Sequence, residues 1–331
     1  MMNCELFILL PPDAYLWITA VLLALLSLFA WKLRRGKPRL TALAGVLLGW
    51  FVFLYGTFVG FYQFEVRHVE LSFSDLPQAF DGYRIVQFSD AHVGTLTGHR
   101  YKILQRVVDS INAQKADIVV FTGDLQNKVP QEIEPDTALL STLQARDGVY
   151  SVLGNHDYAA YSQVDEFTKY ANCGLTRTLQ TEMGWHLLCN THQTIRRDSQ
   201  SIVIAGMEND GEGRFPAFGD ISSTLYGLNR NSFIIMLEHD PSSWHRKILP
   251  HSHAQLTLSG HTHGGQFQLF GWSPVSFRFG EFNGLYRRGE RAIYVSKGIS
   301  GVIPFRVGTP GEIVVITLRR AQSGQSQGTG I

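Results

Sequence analysis

Arg84-Ile85-Val86-Gln87-Phe88-Ser89-Asp90-Ala91-His92 runs from an apolar stretch into a turn that carries an aspartate and a histidine. The pattern recurs twice. Asp117-Ile118-Val119-Val120-Phe121 leads to Gly123-Asp124-Leu125-Gln126-Asn127, and Val149-Tyr150-Ser151-Val152-Leu153 leads to Gly154-Asn155-His156-Asp157. Short β-branched and aromatic runs that stop at Gly or Ser read as strands. Residues 101–114 place Ile103, Leu104, Val107, Val108 and Ile111 at helical spacing between the first two runs. A helix between strands predicts that they are parallel and buried. In open α/β sheets the functional loops lie beyond the carboxyl ends of the strands, and all three motifs fall there.

Two more motifs complete the set. Glu238-His239-Asp240 follows the apolar run 232–237, and Gly260-His261-Thr262-His263 follows 255–258. Aspartate bridges two divalent cations well because it is charged and has two oxygens. Histidine nitrogens suit Zn, Fe or Mn better than Mg alone. Two ions about 3.5–4 Å apart can share a hydroxide and clamp a phosphoryl group. Gly123, Gly154 and Gly260 let the backbone turn sharply beside such ions. A lone His-x-His or Asp-x-His is a weak signal; five motifs in strand-terminal order form a set. His251-x-His253 has the same spacing but precedes a strand, and it reads as a surface loop. His99 is expected near the cleft. His68, His186, His192 and His245 read as structural.

The motif set resembles the calcineurin-like metallophosphoesterases over about residues 66–318. The stretch 258–266, with Tyr294-Val295-Ser296-Lys297-Gly298, is similar to the membrane-associated bacterial phosphodiesterase branch. The resemblance implies a four-layer α/β/β/α sandwich. It implies that Asp90, His92 and His263 hold one ion, that Asn155, His239 and His261 hold the other, and that Asp124 bridges both. His156 would face the scissile phosphate as general acid or charge stabiliser, oriented by Asp157. Asn127 stands where the family commonly has an aspartate. The implied activity is hydrolysis of a phosphodiester or pyrophosphate, with a lipid as an attractive substrate, by a hydroxide shared between two Mn, Fe or Zn ions. A phosphomonoesterase and a non-catalytic membrane-tethered scaffold are the alternatives; a scaffold has no need of His156. The protein phosphatase pattern has arginines after the second motif and before the third, where this chain has Lys128 and Leu153.

The amino-terminal part reads differently. Residues 14–31 and 40–64 carry no charge. At about 1.5 Å per residue the second run spans roughly 37 Å, enough to cross a bilayer with tilt. Lys32, Arg34, Arg35, Lys37 and Arg39 lie between the runs, with Glu5 and Asp13 before them and Glu65, Arg67 and Glu70 after. The excess of Lys and Arg predicts a transmembrane hairpin over 14–64, with the loop 32–39 in the cytoplasm and both ends outside. A short tail, 1–13, precedes it, and the catalytic domain, 65–318, is expected on the extracytoplasmic face of the plasma membrane. A net charge of +1 gives no field to attract nucleic acid. The sequence specifies no oligomeric state.

Several stretches carry secondary expectations. Residues 158–170 read as a helix over the cleft. Residues 185–189 and 201–205 read as neighbouring strands of a second sheet, and 293–296 and 312–318 close the pattern. Phe267, Phe270, Trp272, Phe277, Phe279, Phe282 and Tyr286 form either the core of a folded hairpin or an apolar lip facing the bilayer. Arg306 could meet a phosphate oxygen. Cys173 and Cys189 could pair in an oxidising compartment or remain buried thiols. The tail 319–331 is Ser-, Gly- and Gln-rich and is expected to be disordered.

Overall fold

The computed structural model describes residues 11–33 and 36–321. Glu5, Arg34 and Arg35, and the tail beyond 321, lie outside the described residues. Two long helices come first, α1 (Pro12–Lys32) and α2 (Lys37–Phe58). They pack side by side, with the indole of Trp50 donating to Ser27 Oγ at 3.2 Å. Most of their apolar surface is uncovered: their 18-residue windows are only 11% and 17% buried. The second helix stops at Phe58 and a ten-residue strand, β1 (Phe64–Phe73), begins where the apolar run was expected to end.

Among the described residues, two six-stranded sheets follow. The first holds β1, β2 (Arg84–Phe88), β3 (Ile118–Phe121), β4 (Val149–Ser151), β5 (His186–Leu187) and β12 (Gly311–Arg320), in the order β1-β12-β2-β3-β4-β5. The second holds β6 (Thr191–Arg197), β7 (Gln200–Gly206), β8 (Phe233–Leu237), β9 (Leu256–Ser259), β10 (Gly284–Arg288) and β11 (Arg291–Val295), in the order β10-β11-β9-β8-β7-β6. β2, β3 and β4 are parallel, as are β7, β8 and β9.

Side chains alternate across each strand, and this alternation builds the layers. Ile85, Ile118, Val120 and Val152 turn inward onto Ile204, Ile235, Leu237 and Leu258 of the second sheet. Val86, Phe88, Val119 and Phe121 turn outward onto α3 (Tyr101–Ala113) and α4 (Glu166–Glu182). The far face of the second sheet is covered by Trp244 and Ile248 from a short helical turn. Each such Ile, Leu or Phe contributes about 1.5–3 kcal/mol by leaving water. The result is the expected α/β/β/α order.

Three local expectations are corrected. The helix over 158–170 is instead α4, which starts at Glu166 with Asp165 accepting from Thr168 N at its amino end. Residues 186–187 join the first sheet beside β4, and the partner of β7 is β6. β12 runs on to Arg320, inside the stretch expected to be disordered.

Candidate metal centre

The carboxyl ends of β2, β3, β4, β8 and β9 meet at one pole, and the five motifs extend from them. The first two loops are laced together by backbone: Asp90 N donates to Gly123 O (2.9 Å), His92 N to Asp124 O (3.1 Å) and Val93 N to Leu125 O (2.9 Å). Asp90, His92, Asp124, His261 and His263 all have positive φ, between 41° and 73°. This left-handed region is uncommon outside glycine, and Asp and His enter it more readily than most. Such strain clusters where a site over-determines its backbone. At Gly123 (φ 96°) a Cβ would come within 2.6 Å of Gly154 N, and a Cβ on Gly154 would strike Asp124 Oδ1.

The side chains gather in two groups that share Asp124. Asp90, His92, Asp124 and His263 form one, and Asp124, His239 and His261 the other; within each group one ligand atom per residue lies within 4.8 Å of the rest. Asp124 Oδ2 lies 3.6 Å from His92 Nε2 and 3.1 Å from His239 Nε2. Asn155 joins the second group through Oδ1, 2.7 Å from His261 Nδ1 and 3.1 Å from His239 Nε2. Its amide nitrogen donates to Tyr161 Oη at 2.8 Å, which turns the oxygen toward the histidines. His239 Nδ1 lies 2.7 Å from Thr122 O. A carbonyl only accepts, so Nδ1 carries the proton and Nε2 offers its lone pair to the centre.

Burial sets the charge states. It drives His261 and His263 down to about 4 and His92 well below its usual value. These rings are therefore neutral at pH 7, the form a divalent ion requires. For His239 burial also opposes charge, but the neighbouring carboxylates of Asp124 and Asp90 win and lift it to about 10, so a cation binding at Nε2 would displace a proton there. Asp124, against its own desolvation, is held well below the carboxylate range by His239 and His156.

This donor set fits divalent cations. Both ring nitrogens of His92 are buried without a hydrogen-bond partner, an arrangement that costs about 1–3 kcal/mol if nothing satisfies it. A cation among His92, Asp90, Asp124 and His263 would satisfy one of the two nitrogens. Oxygen donors from Asp and Asn beside imidazole nitrogens match Mn, Fe or Zn.

His156 lies outside both groups and against them. Its ring centroid is 4.8 Å from that of His92 and 4.4 Å from that of Tyr161. The expected orientation by Asp157 is corrected. His156 Nδ1 is held by Asn127 O at 2.6 Å. Both Asp157 oxygens are committed to backbone donors: Gly154 N and Asp124 N at 2.9 Å on one, Leu125 N at 2.9 Å and Gln126 N at 3.3 Å on the other. Asp157 thus ties the second loop to the third. Asp157→Ala would strand these buried donors and is expected to cost about 3 kcal/mol, read as a thermal midpoint lowered by about 6–12 °C.

Other expectations sort cleanly. Arg306 is fully buried and donates to main-chain carbonyls, including Lys297 O (2.8 Å) and Thr309 O (3.1 Å), so it is a brace and not a phosphate ligand. His99 stacks on Tyr62, ring centroids 6.0 Å apart, away from the two groups. Phe270 (99% exposed), Phe277 (83%) and Trp272 (49%) are not core, whereas Phe279 is buried against His261. Cys173 and Cys189 are free, half-buried thiols. Sequence reasoning missed Tyr161, Phe215, which meets the His261 ring at 4.9 Å, and Asp240, whose Oδ2 lies 3.7 Å from His261 Nε2. Asp240 lay within a quoted motif; Tyr161 and Phe215 follow no spacing rule.

A two-sheet sandwich that pools Asp, Asn and His at one pole is the architecture of a metallohydrolase. A family model described as Calcineurin-like phosphoesterase matches residues 83–265, more than half of the chain. The chain belongs to the calcineurin-like phosphoesterase family. It is 31% identical over 283 residues to the uncharacterized metallophosphoesterase YkuE of Bacillus subtilis, covering 83% of this chain and 93% of that one. It is 33% identical over 267 residues to a zebrafish (Danio rerio) protein described as a transmembrane protein with metallophosphoesterase domain, covering 78% of this chain but only 58% of that protein. Among solved structures, the phosphopantetheinyl hydrolase of Mycobacterium tuberculosis aligns with a TM-score of 0.43 at 13% identity, over 68% of this chain and 91% of that one. That likeness is too distant to bear on substrate.

Proposed function

We propose that this chain is a membrane-anchored phosphoesterase that hydrolyses a phosphodiester or pyrophosphate, with the substrate drawn from lipid. The observation that carries the reading is the shared carboxylate: Asp124 belongs to both ligand groups. On this reading Asp90, His92 and His263 hold one ion, Asn155, His239 and His261 the other, and Asp124 both. Two bound divalent ions supply Lewis acidity toward the phosphoryl oxygens and a lowered pKa for water. The protein's own groups do the rest. Thr122 and Tyr161 aim His239 and Asn155. His156, with Nδ1–H on Asn127 O, presents Nε2 to the leaving-group oxygen and delivers a proton there.

A diester needs room for a second substituent. A cavity of about 790 Å³ is lined by Phe215, which meets the His261 ring, and by Tyr158, Tyr170, Phe218, Lys169 and Arg214. That volume accommodates a drug-sized group. The uncovered apolar faces of α1 and α2, and a relative described as a transmembrane protein, support anchoring. The domain joins the helices near Asp13 and Gly56, at the end away from Lys32 and Lys37. With the basic loop in the cytoplasm, the domain lies outside the plasma membrane.

The test uses the full chain in detergent, with Mn added or metal stripped. Metal-dependent cleavage of bis(p-nitrophenyl) phosphate, faster than that of p-nitrophenyl phosphate, followed by cleavage of a phospholipid diester, is the expected result. Cleavage of the monoester alone would move the substrate class to phosphomonoesters.

A further inference from the structure

The two apolar helices touch the catalytic layers at few points, and those points lead to the centre. Asp13 of α1 pairs with Arg100 through both oxygens (2.7 and 3.2 Å). Arg100 is only 8% exposed, and its Nε donates to Thr95 O at 2.7 Å. Thr95 Oγ1 accepts from Asn127 Nδ2 at 2.8 Å. Asn127 O in turn holds His156 Nδ1 at 2.6 Å. Four links therefore run from the first helix to His156. The second helix makes a parallel approach. Arg306 N donates to Gly56 O at 3.0 Å, and the Phe305 ring lies against Gly56 so closely that a Cβ there would overlap it. The Arg306 guanidinium donates to Ser300 O, and that carbonyl lies 3.3 Å from His263 Nδ1.

We propose that the hairpin is a positioning element of the active site as well as an anchor, with Asp13 acting through Arg100, Thr95 and Asn127 to set the His156 ring. The inference rests on the role given to His156 above. The Asp13 side chain is 57% exposed but the Arg100 side chain only 10%, so removing Asp13 leaves a mostly buried guanidinium without its anion. Without Asp13 the favourable response of Arg100 is to turn toward water, which drops its bond to Thr95. Thr95 lies three residues beyond His92, in the turn that anchors the Asn127 side chain. Asn127 is suited to this link: its amide donates to Thr95 Oγ1 while that hydroxyl donates onward to Val302 O at 3.2 Å. A carboxylate in its place could only accept. A displacement of about 1 Å at a reacting group can cost as much as 10²-fold in rate.

The experiment compares full-chain variants in lipid nanodiscs, with bis(p-nitrophenyl) phosphate as probe and metal content measured on each. Asp13→Asn and Asn127→Asp should each lower kcat by about tenfold, with KM within about twofold and metal content unchanged. The exchanged pair, Asp13→Arg with Arg100→Asp, restores hairpin docking but not the donor to Thr95. Its thermal midpoint should recover and its kcat should not. Combining Asp13→Asn with His156→Ala should be no slower than His156→Ala alone, because both act through one ring. Recovery of kcat in the exchanged pair, additive losses in the combined variant, or full kcat in both single variants would each overturn the proposal. Unchanged turnover in His156→Ala alone would overturn the underlying role of His156, and this inference with it.

Discussion

Asp124→Asn should lower kcat/KM by about 10³-fold or more and leave the protein with less than its full metal content. The substitution keeps shape. The retained amide oxygen can still accept from His156 N, as Oδ1 does at 2.8 Å, so the fold is expected to survive. What is lost is the negative charge that faces His92 Nε2 at 3.6 Å and His239 Nε2 at 3.1 Å. Without it, cations held by the two groups would lose the one carboxylate that belongs to both. Metal analysis of the purified variant, beside turnover at saturating Mn, tests both halves. Wild-type turnover with wild-type metal content would remove Asp124 from the centre.

His156→Ala should slow turnover by about 10²–10⁴-fold, the range for a lost general acid, while both ions stay bound. Metal retention separates this variant from Asp124→Asn. A second readout concerns the leaving group. p-Nitrophenolate departs without help, whereas an alkoxide needs a proton. The loss should therefore be larger for an alkyl ester than for a nitrophenyl ester, and log kcat should fall more steeply with leaving-group pKa in the variant. An equal loss for both esters would assign His156 to charge stabilisation instead of proton delivery.

The parts of the fold visible in sequence are those where burial leaves no choice. β3 and, past Arg84, β2 are covered on both faces, so they read as apolar runs interrupted only by Gln87, and the turns after them are punctuated by Gly, Asp and His. That is enough to locate the residues that gather at the pole. β1 stayed hidden for two reasons. Its first residue, Phe64, ends the uncharged run that includes α2, and as an edge strand it has only two buried residues, with Glu, Arg and His along it. α4 was misplaced because it buries only Thr176, Leu179 and Gln180, too few and too polar to show a helical stripe. Asp157 and Arg306 were misread because their partners are main-chain groups. Spacing between residue types carries no record of which backbone N–H or C=O a side chain will meet.

The order of strands in the first sheet bears on how the protein is made. Among the described residues, β12, the last strand, lies between β1 and β2, the first two. Synthesis runs from the amino terminus, so β2, β3 and β4 can assemble early, but β1 has no neighbour until residue 320 has emerged. The first sheet therefore closes only when its last described strand arrives. Truncation before residue 311 would leave two open sheet edges facing each other across a gap, an invitation to pair with other chains.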